Sequence, residues 1–193
     1  MTTSSTPSRA GFTLIDILVT IAVFSIIMAG ALPSLINISE SMKLGQGQRE
    51  VASALQSARL IAVTSNRPIR VRFNCPAAGQ YRITELVGTP GVPAAADAAA
   101  NRCGLDLYPY PGNPDKNPMT RPNNDGPLRT LDAKVTFSNV TTIEFWPDGS
   151  AHTNTGGINP WPPIAAAGTT VTLVKGSQSK TIMVNGVGKV QVQ

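Results

Sequence analysis

The chain has 193 residues, a formal net charge of +5, two cysteines, one histidine and only 5% aromatic residues. That surplus of positive charge is too small to indicate a nucleic-acid partner by itself, and one histidine without a CxxC pair argues against a zinc site. The 17 glycines and 16 prolines favour short strands joined by long loops.

The first predicted element follows a polar leader whose sole charge is Arg9. It opens with Gly11-Phe12-Thr13-Leu14-Ile15-Asp16, and residues 17–36 (ILVTIAVFSIIMAGALPSLI) then carry no charge. Twenty residues of helix reach about 30 Å, the thickness of a bilayer's hydrocarbon core. Asp16 is the anomaly, because an ionised group at the edge of a membrane segment costs free energy unless a cation meets it. A cleaved secretory signal would use Arg9 and the small residues Ala29-Gly30-Ala31, yet the apolar run continues past them. A plain signal anchor needs no Gly-Phe-Thr start and gives Asp16 no purpose. In either orientation rule, Arg9 on the short side keeps the N-terminus cytoplasmic and sends the rest of the chain outward.

GFTLID followed by the apolar run with Pro33 inside it resembles the class III leader of type IV pilins and type II secretion pseudopilins. The resemblance implies that a prepilin peptidase cuts after Gly11 and N-methylates the new first residue, Phe12. Asp16 stands where that family has glutamate, one methylene shorter. Such a carboxylate can pair with the Phe12 amine of an adjoining subunit; a low dielectric strengthens the pair, which also sets the axial register between neighbours.

Past the apolar run, Gly45 and Gly47 are expected to bend or interrupt the helix. The helical period then returns, with Val51, Leu55, Ala58 and Ala62 on one face. Pro68 ends the helix near Ser65-Asn66. Residues 69–75 alternate as a strand with one apolar and one polar face, and 80–87 pair with it across Pro76-Ala77-Ala78-Gly79. The segment ALQSARLIAVTSNRPIRVRFNC is similar to the start of the GspH/FimT family domain. Residues 88–127 read as a long functional or flexible loop outside the core, in which Tyr108 and Tyr110 pack it down or face a partner. Cys75 and Cys103 read as a disulfide in an oxidising compartment, with two free thiols as the alternative. Further strands are expected at 135–137 and 142–146, before a Pro147-Asp148-Gly149 turn. A hairpin at 169–175 and 180–185 follows, through Gly176-Ser177, and then a last strand at 189–192.

Little in this supports catalysis. His152 is expected in an exposed loop rather than as a base, Asp148 is a turn residue, and Gly186-Val187-Gly188 lies between strands rather than before a helix. The chain therefore reads as non-enzymatic, without metal or cofactor. Arg59, Arg67, Arg70, Arg72 and Arg82 fall in a stretch, 51–84, that holds no acid, and Lys175, Lys180 and Lys189 in an acid-free tail. The simpler reading is a solvated sheet face; the alternative is a DNA-contact strip with Lys175, Lys180 and Lys189 in it. Resemblance to FimT-like minor pilins, some of which serve in DNA uptake and bind DNA through a C-terminal Gly-Arg-x-Arg, supports the alternative. Here that motif is Gly188-Lys189-Val190-Gln191, with no second cation.

The expected fold is thus α+β and pilin-like: a leader at 1–11, a long helix at 12–66 with its membrane part at 14–36, and a head of small antiparallel sheets at 67–193. The resemblance implies a minor type IV pilin or pseudopilin. It would sit in the inner membrane with its head in the periplasm until built into a pilus or pseudopilus. Its partners would be the prepilin peptidase, other pilins of the filament and the inner membrane, with DNA under the alternative.

Overall fold

A computed structural model describes residues 12–108, 122–154 and 157–193, without the side chains of 31–34 and 37. The chain divides into two units, Met1–Glu40 and Ser41–Gln193. One helix, α1 (Leu14–Ser65), contributes to both. Gly45 and Gly47 do not interrupt it. Gly47 is buried, and a Cβ there would lie 3.5 Å from the side chains of Leu131 and Leu173. Such a Cβ would sit in ordinary contact, and the packing of the helix on these residues offsets the poor helix propensity of glycine. The helix stops where expected: Asn66 adopts a left-handed φ of 51°, and the Arg67 N–H donates to the Ala62 carbonyl at 3.2 Å, closing the end in a Schellman pattern.

The second unit carries two antiparallel sheets. The first has five strands: β1 (Ile69–Phe73), β2 (Gln80–Glu85), β3 (Arg129–Thr130), β5 (Ile143–Phe145) and β6 (Ala151–Thr153), in the order β3-β2-β1-β5-β6. The second is β4 (Thr136–Ser138), β7 (Thr169–Lys175), β8 (Gln178–Val184) and β9 (Val190–Val192), in that order. Between β2 and β3 lie α2 (Ala95–Ala98) and a 3₁₀ turn (Ala100–Cys103). This is the expected α+β architecture.

The core forms where the apolar stripe of α1 meets the inner faces of both sheets. Leu44, Val51, Leu55, Ala58 and Ala62 are buried with Ile69, Val71 and Phe145 from the first sheet and Val171, Leu173, Ile182 and Val184 from the second. Small residues at 54, 58 and 62 leave room for the sheet residues. Phe73, Tyr81 and Phe137 form an aromatic cluster with ring centroids 5.0 to 6.5 Å apart. Three polar side chains also fasten the helix. Gln48 Nε2 donates to the carbonyls of Thr181 and Gln193, at 2.7 and 2.8 Å. The Tyr81 hydroxyl donates to Glu50 at 2.8 Å, and Arg59 Nε to the Gly149 carbonyl at 3.0 Å. Gly188, with a φ of 73°, passes so close to Gly149 and Arg59 that any side chain there would collide with both.

Candidate assembly segment and the charged layer on the sheet

At the start of α1, Asp16 holds the residue before the helix. The backbone N–H of Thr13 and its hydroxyl both donate to Asp16 Oδ2, at 3.1 and 2.7 Å, and the Asp16 N–H donates to the Thr13 carbonyl at 3.1 Å. Behind it, apolar side chains point outward on every side of the helix: Leu14, Ile15, Leu18, Ile21, Phe24 and Ile26 are all more than half exposed. Phe12 is 88% exposed. Arg9 and Gly11 lie outside the described residues. Among the described residues no helix is long and apolar enough to cross a membrane; the apolar run of the sequence continues through 31–34, whose side chains lie outside them.

Of the five arginines expected on a solvated or DNA-contacting face, Arg59 is exposed and Arg67 and Arg72 are partly so, but two are placed otherwise. Arg70 and Arg82 are buried, on the outer face of the first sheet, beneath residues of the 88–127 segment. That segment was expected to stay outside the core, and instead it supplies the buried Asp97, Arg102, Cys103 and Asp125. Arg70 faces Glu144 directly across β1 and β5, with Nε donating to the carboxylate at 2.6 Å. Arg102 grips Asp125 through both Nη atoms, at 2.5 and 2.8 Å, and its Nη2 also donates to the Glu85 carbonyl. Asp125 in turn accepts the Glu85 N–H, and the Glu85 carboxylate accepts the N–H groups of Asn123 and Asn124. Asp97 caps the loop by accepting from the N–H groups of Val87, Gly88 and Ala94. Buried charges persist only when partnered in this way. The Arg102 guanidinium also lies 4.2 Å from the centre of the Tyr108 ring, so Tyr108 does pack the segment down. Tyr110 lies outside the described residues.

Cys75, just past β1, and Cys103, in the 3₁₀ turn, form a disulfide with an S–S distance of 2.07 Å. It pins the charged layer's loop to the sheet it covers. His152 is another correction: it is buried on β6, a strand the alternation did not reveal. Its ring stacks on Trp146 at 3.6 Å, Nδ1 donates to the Trp161 carbonyl and Nε2 meets Ser150 Oγ, each at 2.8 Å. Asp148 is the turn residue expected; Ser150 donates to it from both N–H and hydroxyl, which holds its carboxyl below the ordinary value.

The three lysines are not brought together. Lys175 is buried, its ammonium 3.7 Å from Asp132, an acid it shares with Lys43. Lys180 is half-buried and pairs with Leu173 near the start of β8, whereas the exposed Lys189 pairs with Asn185 beyond its other end. Five residues of strand, about 16 Å, separate those two positions. Among the described residues no group of three or more His, Cys, Asp or Glu side chains could hold a metal ion.

Residues 48–188 match the family model described as the type II transport protein GspH, and residues 6–32 match the prokaryotic N-terminal methylation motif. The first match begins in the packed half of α1 and ends at Gly188; the second contains Gly11, Phe12 and Asp16. No curated protein gives a significant match. Two crystal forms of the type IV minor pilin FimU of Pseudomonas aeruginosa (strain PAO1), in space groups P21 and P65, are similar in structure. Each is 15% identical; the matches cover 81% and 78% of this chain and 92% of FimU, with TM-scores of 0.44 and 0.42.

Proposed function

Since the chain belongs to the type II transport protein GspH family and is a minor pilin or pseudopilin, we propose that residues 14–36 hold it in the inner membrane, its head periplasmic, until a filament takes it up. The filament is a type IV pilus or a type II secretion pseudopilus, and the chain's work there is assembly, initiation or a place at the tip. Family and fold are those of structural subunits rather than enzymes. The observation that carries the reading is the first half of α1, apolar on every side and exposed in the single chain. A helix of that kind is stable only when lipid or other helices surround it.

A prepilin peptidase, in this reading, cuts after Gly11 and methylates the amine of Phe12. Asp16 then has two tasks. Oδ2 starts its own helix through Thr13, and Oδ1 is left to accept the cationic amine of an adjoining subunit. The two tasks separate by substitution. Asp16→Asn keeps an oxygen for Thr13 and removes the charge, so the helix still starts while uptake into filaments falls; unchanged uptake would end the docking proposal. Mass spectrometry of the mature chain tests the premise: the expected start is N-methyl-Phe12, and a start at Leu32 or an uncut Met1 would overturn it.

DNA binding for uptake is the alternative function. With Lys175, Arg70 and Arg82 inside the protein, it depends on Lys180 and Lys189. Salt-dependent DNA binding that falls when both lose their charge would support it.

A further inference from the structure

On the outer face of the five-stranded sheet, Arg72 of β1 stands directly opposite Arg82 of β2. Like charges so placed repel, and the surroundings answer the two unequally. Arg82 is fully buried: it donates to the carbonyls of Gly126, Cys103, Gly104 and Tyr108 and lies 3.9 Å from Asp125. Arg72 is half-buried and gives Nη1 to the Ala99 carbonyl at 2.8 Å. Among the described residues its Nε and Nη2 have no hydrogen-bond partner, and no carboxylate lies within the 4.0 Å of an ion pair. Burial, then the charges of Arg70 and Arg102, hold the Arg72 guanidinium below its ordinary value despite the attraction of Asp97. Among arginines 70, 72, 82 and 102 of this layer it is the one with no carboxylate in ion-pair reach, although Arg102 Nε is also buried without a hydrogen-bond partner.

Arg72 lines a cavity of about 300 Å³ together with Arg70, Thr141, Thr142, Asn154 and Trp161. Arg70 is already committed: it pairs with Glu144, donates to the Asp97 carbonyl and lies 4.1 Å from the centre of the Trp161 ring. Asp97, on the same wall, has both carboxylate oxygens taken by backbone N–H groups. The remaining side-chain polar groups of the wall are two hydroxyls, an amide and the indole N–H of Trp161.

The geometry points to this cavity as a binding site for a carboxylate, held by the free Nε–Nη2 edge of Arg72 beside Thr141, Thr142 and Asn154. A guanidinium edge matches a planar carboxylate in two parallel hydrogen bonds. With Arg70 committed to Glu144, one unpaired cation among neutral donors suits a monoanion; a phosphate dianion would leave surplus negative charge half out of water. The volume is at the small end for ligand pockets, enough for one acidic side chain of another polypeptide or a free organic acid. Both sources offer the same chemistry. The inference does not depend on filament assembly.

The test uses the full chain in detergent and follows the Arg72 Nε–H and Trp161 indole N–H signals by NMR. The probes are N-acetyl-glutamate N-methylamide, acetate and inorganic phosphate. The capped glutamate is expected to shift both signals saturably. Replacing the fork by a neutral amide, Arg72→Gln, should weaken it about tenfold, with Arg72→Lys between. Should Arg72→Gln fail to fold, Thr142→Val reads the same wall, with a loss of about threefold expected for one neutral hydrogen bond. Acetate binding as well as the capped residue assigns the site to free acids; far weaker acetate binding assigns it to an acidic residue of a partner; each supports the site. No saturable shift, equal affinity in the variants, or a preference for phosphate would overturn it.

Discussion

The beginning of α1 and the outer face of the five-stranded sheet are inversions of each other. Along the helix from Leu14 to Met28, large apolar side chains stand exposed. On the sheet, Arg70, Arg82, Glu85 and Glu144 are almost wholly buried. Each arrangement is costly for a single soluble layer, and each is explained by a second layer laid over it. For the sheet the cover is formed by described residues of the 88–127 segment, which bring Asp97, Asp125 and the half of the disulfide at Cys103 with them. For the helix the cover must come from outside the chain, as lipid or as other helices. The difference separates what this protein needs in order to fold from what it needs in order to work.

Substitutions can break that contrast. The largest effect is expected from Arg102→Ala, which strands the buried Asp125 carboxylate; removing one member of a buried pair costs about 3–5 kcal/mol, read by chemical denaturation of the full chain. Next, replacing both Cys75 and Cys103 by serine frees a loop of sequence separation 28, worth about 3.5 kcal/mol in the chain-entropy account. Tyr81→Phe should cost about 1 kcal/mol for the lost hydrogen bond to Glu50. Burial and the Glu50 carboxylate push the Tyr81 hydroxyl above its ordinary value of 10.0. Its contribution is therefore full below pH 10.0 and is lost as pH rises beyond it, an alkaline loss that Tyr81→Phe should abolish. The smallest effect belongs to the helix: Phe24→Ala should leave head stability within about 0.5 kcal/mol. A large loss there would mean that the exposed helix already has a partner within the chain.

The helix and most strands were legible because their signals are local. The stripe from Val51 to Ala62 and Pro68 placed the end of α1, and alternation placed β7 at 169–175 and β1 at its own start. The charged layer was not legible, because a strand's alternation shows that one face is polar without showing what covers it. Arg70 and Arg82 look the same in sequence whether water or a proline-rich segment lies above them. His152 was missed for a related reason, since β6 has three residues and its stacking partner Trp146 sits across a turn. Propensity alone predicts a break at Gly45 and Gly47, and at Gly47 packing beside Leu131 and Leu173 overrides it.

Gln48, Glu50 and Arg59 bind α1 to the second sheet, the first sheet and the Gly149 turn, respectively. A force drawn along this part of the helix would therefore load three attachments side by side, in shear, instead of peeling them one after another. Because Gln48 holds the carbonyl of Gln193, the segment just after β9 takes a share of that tension. Mechanical strength under traction thus comes from residues that lie far apart along the chain.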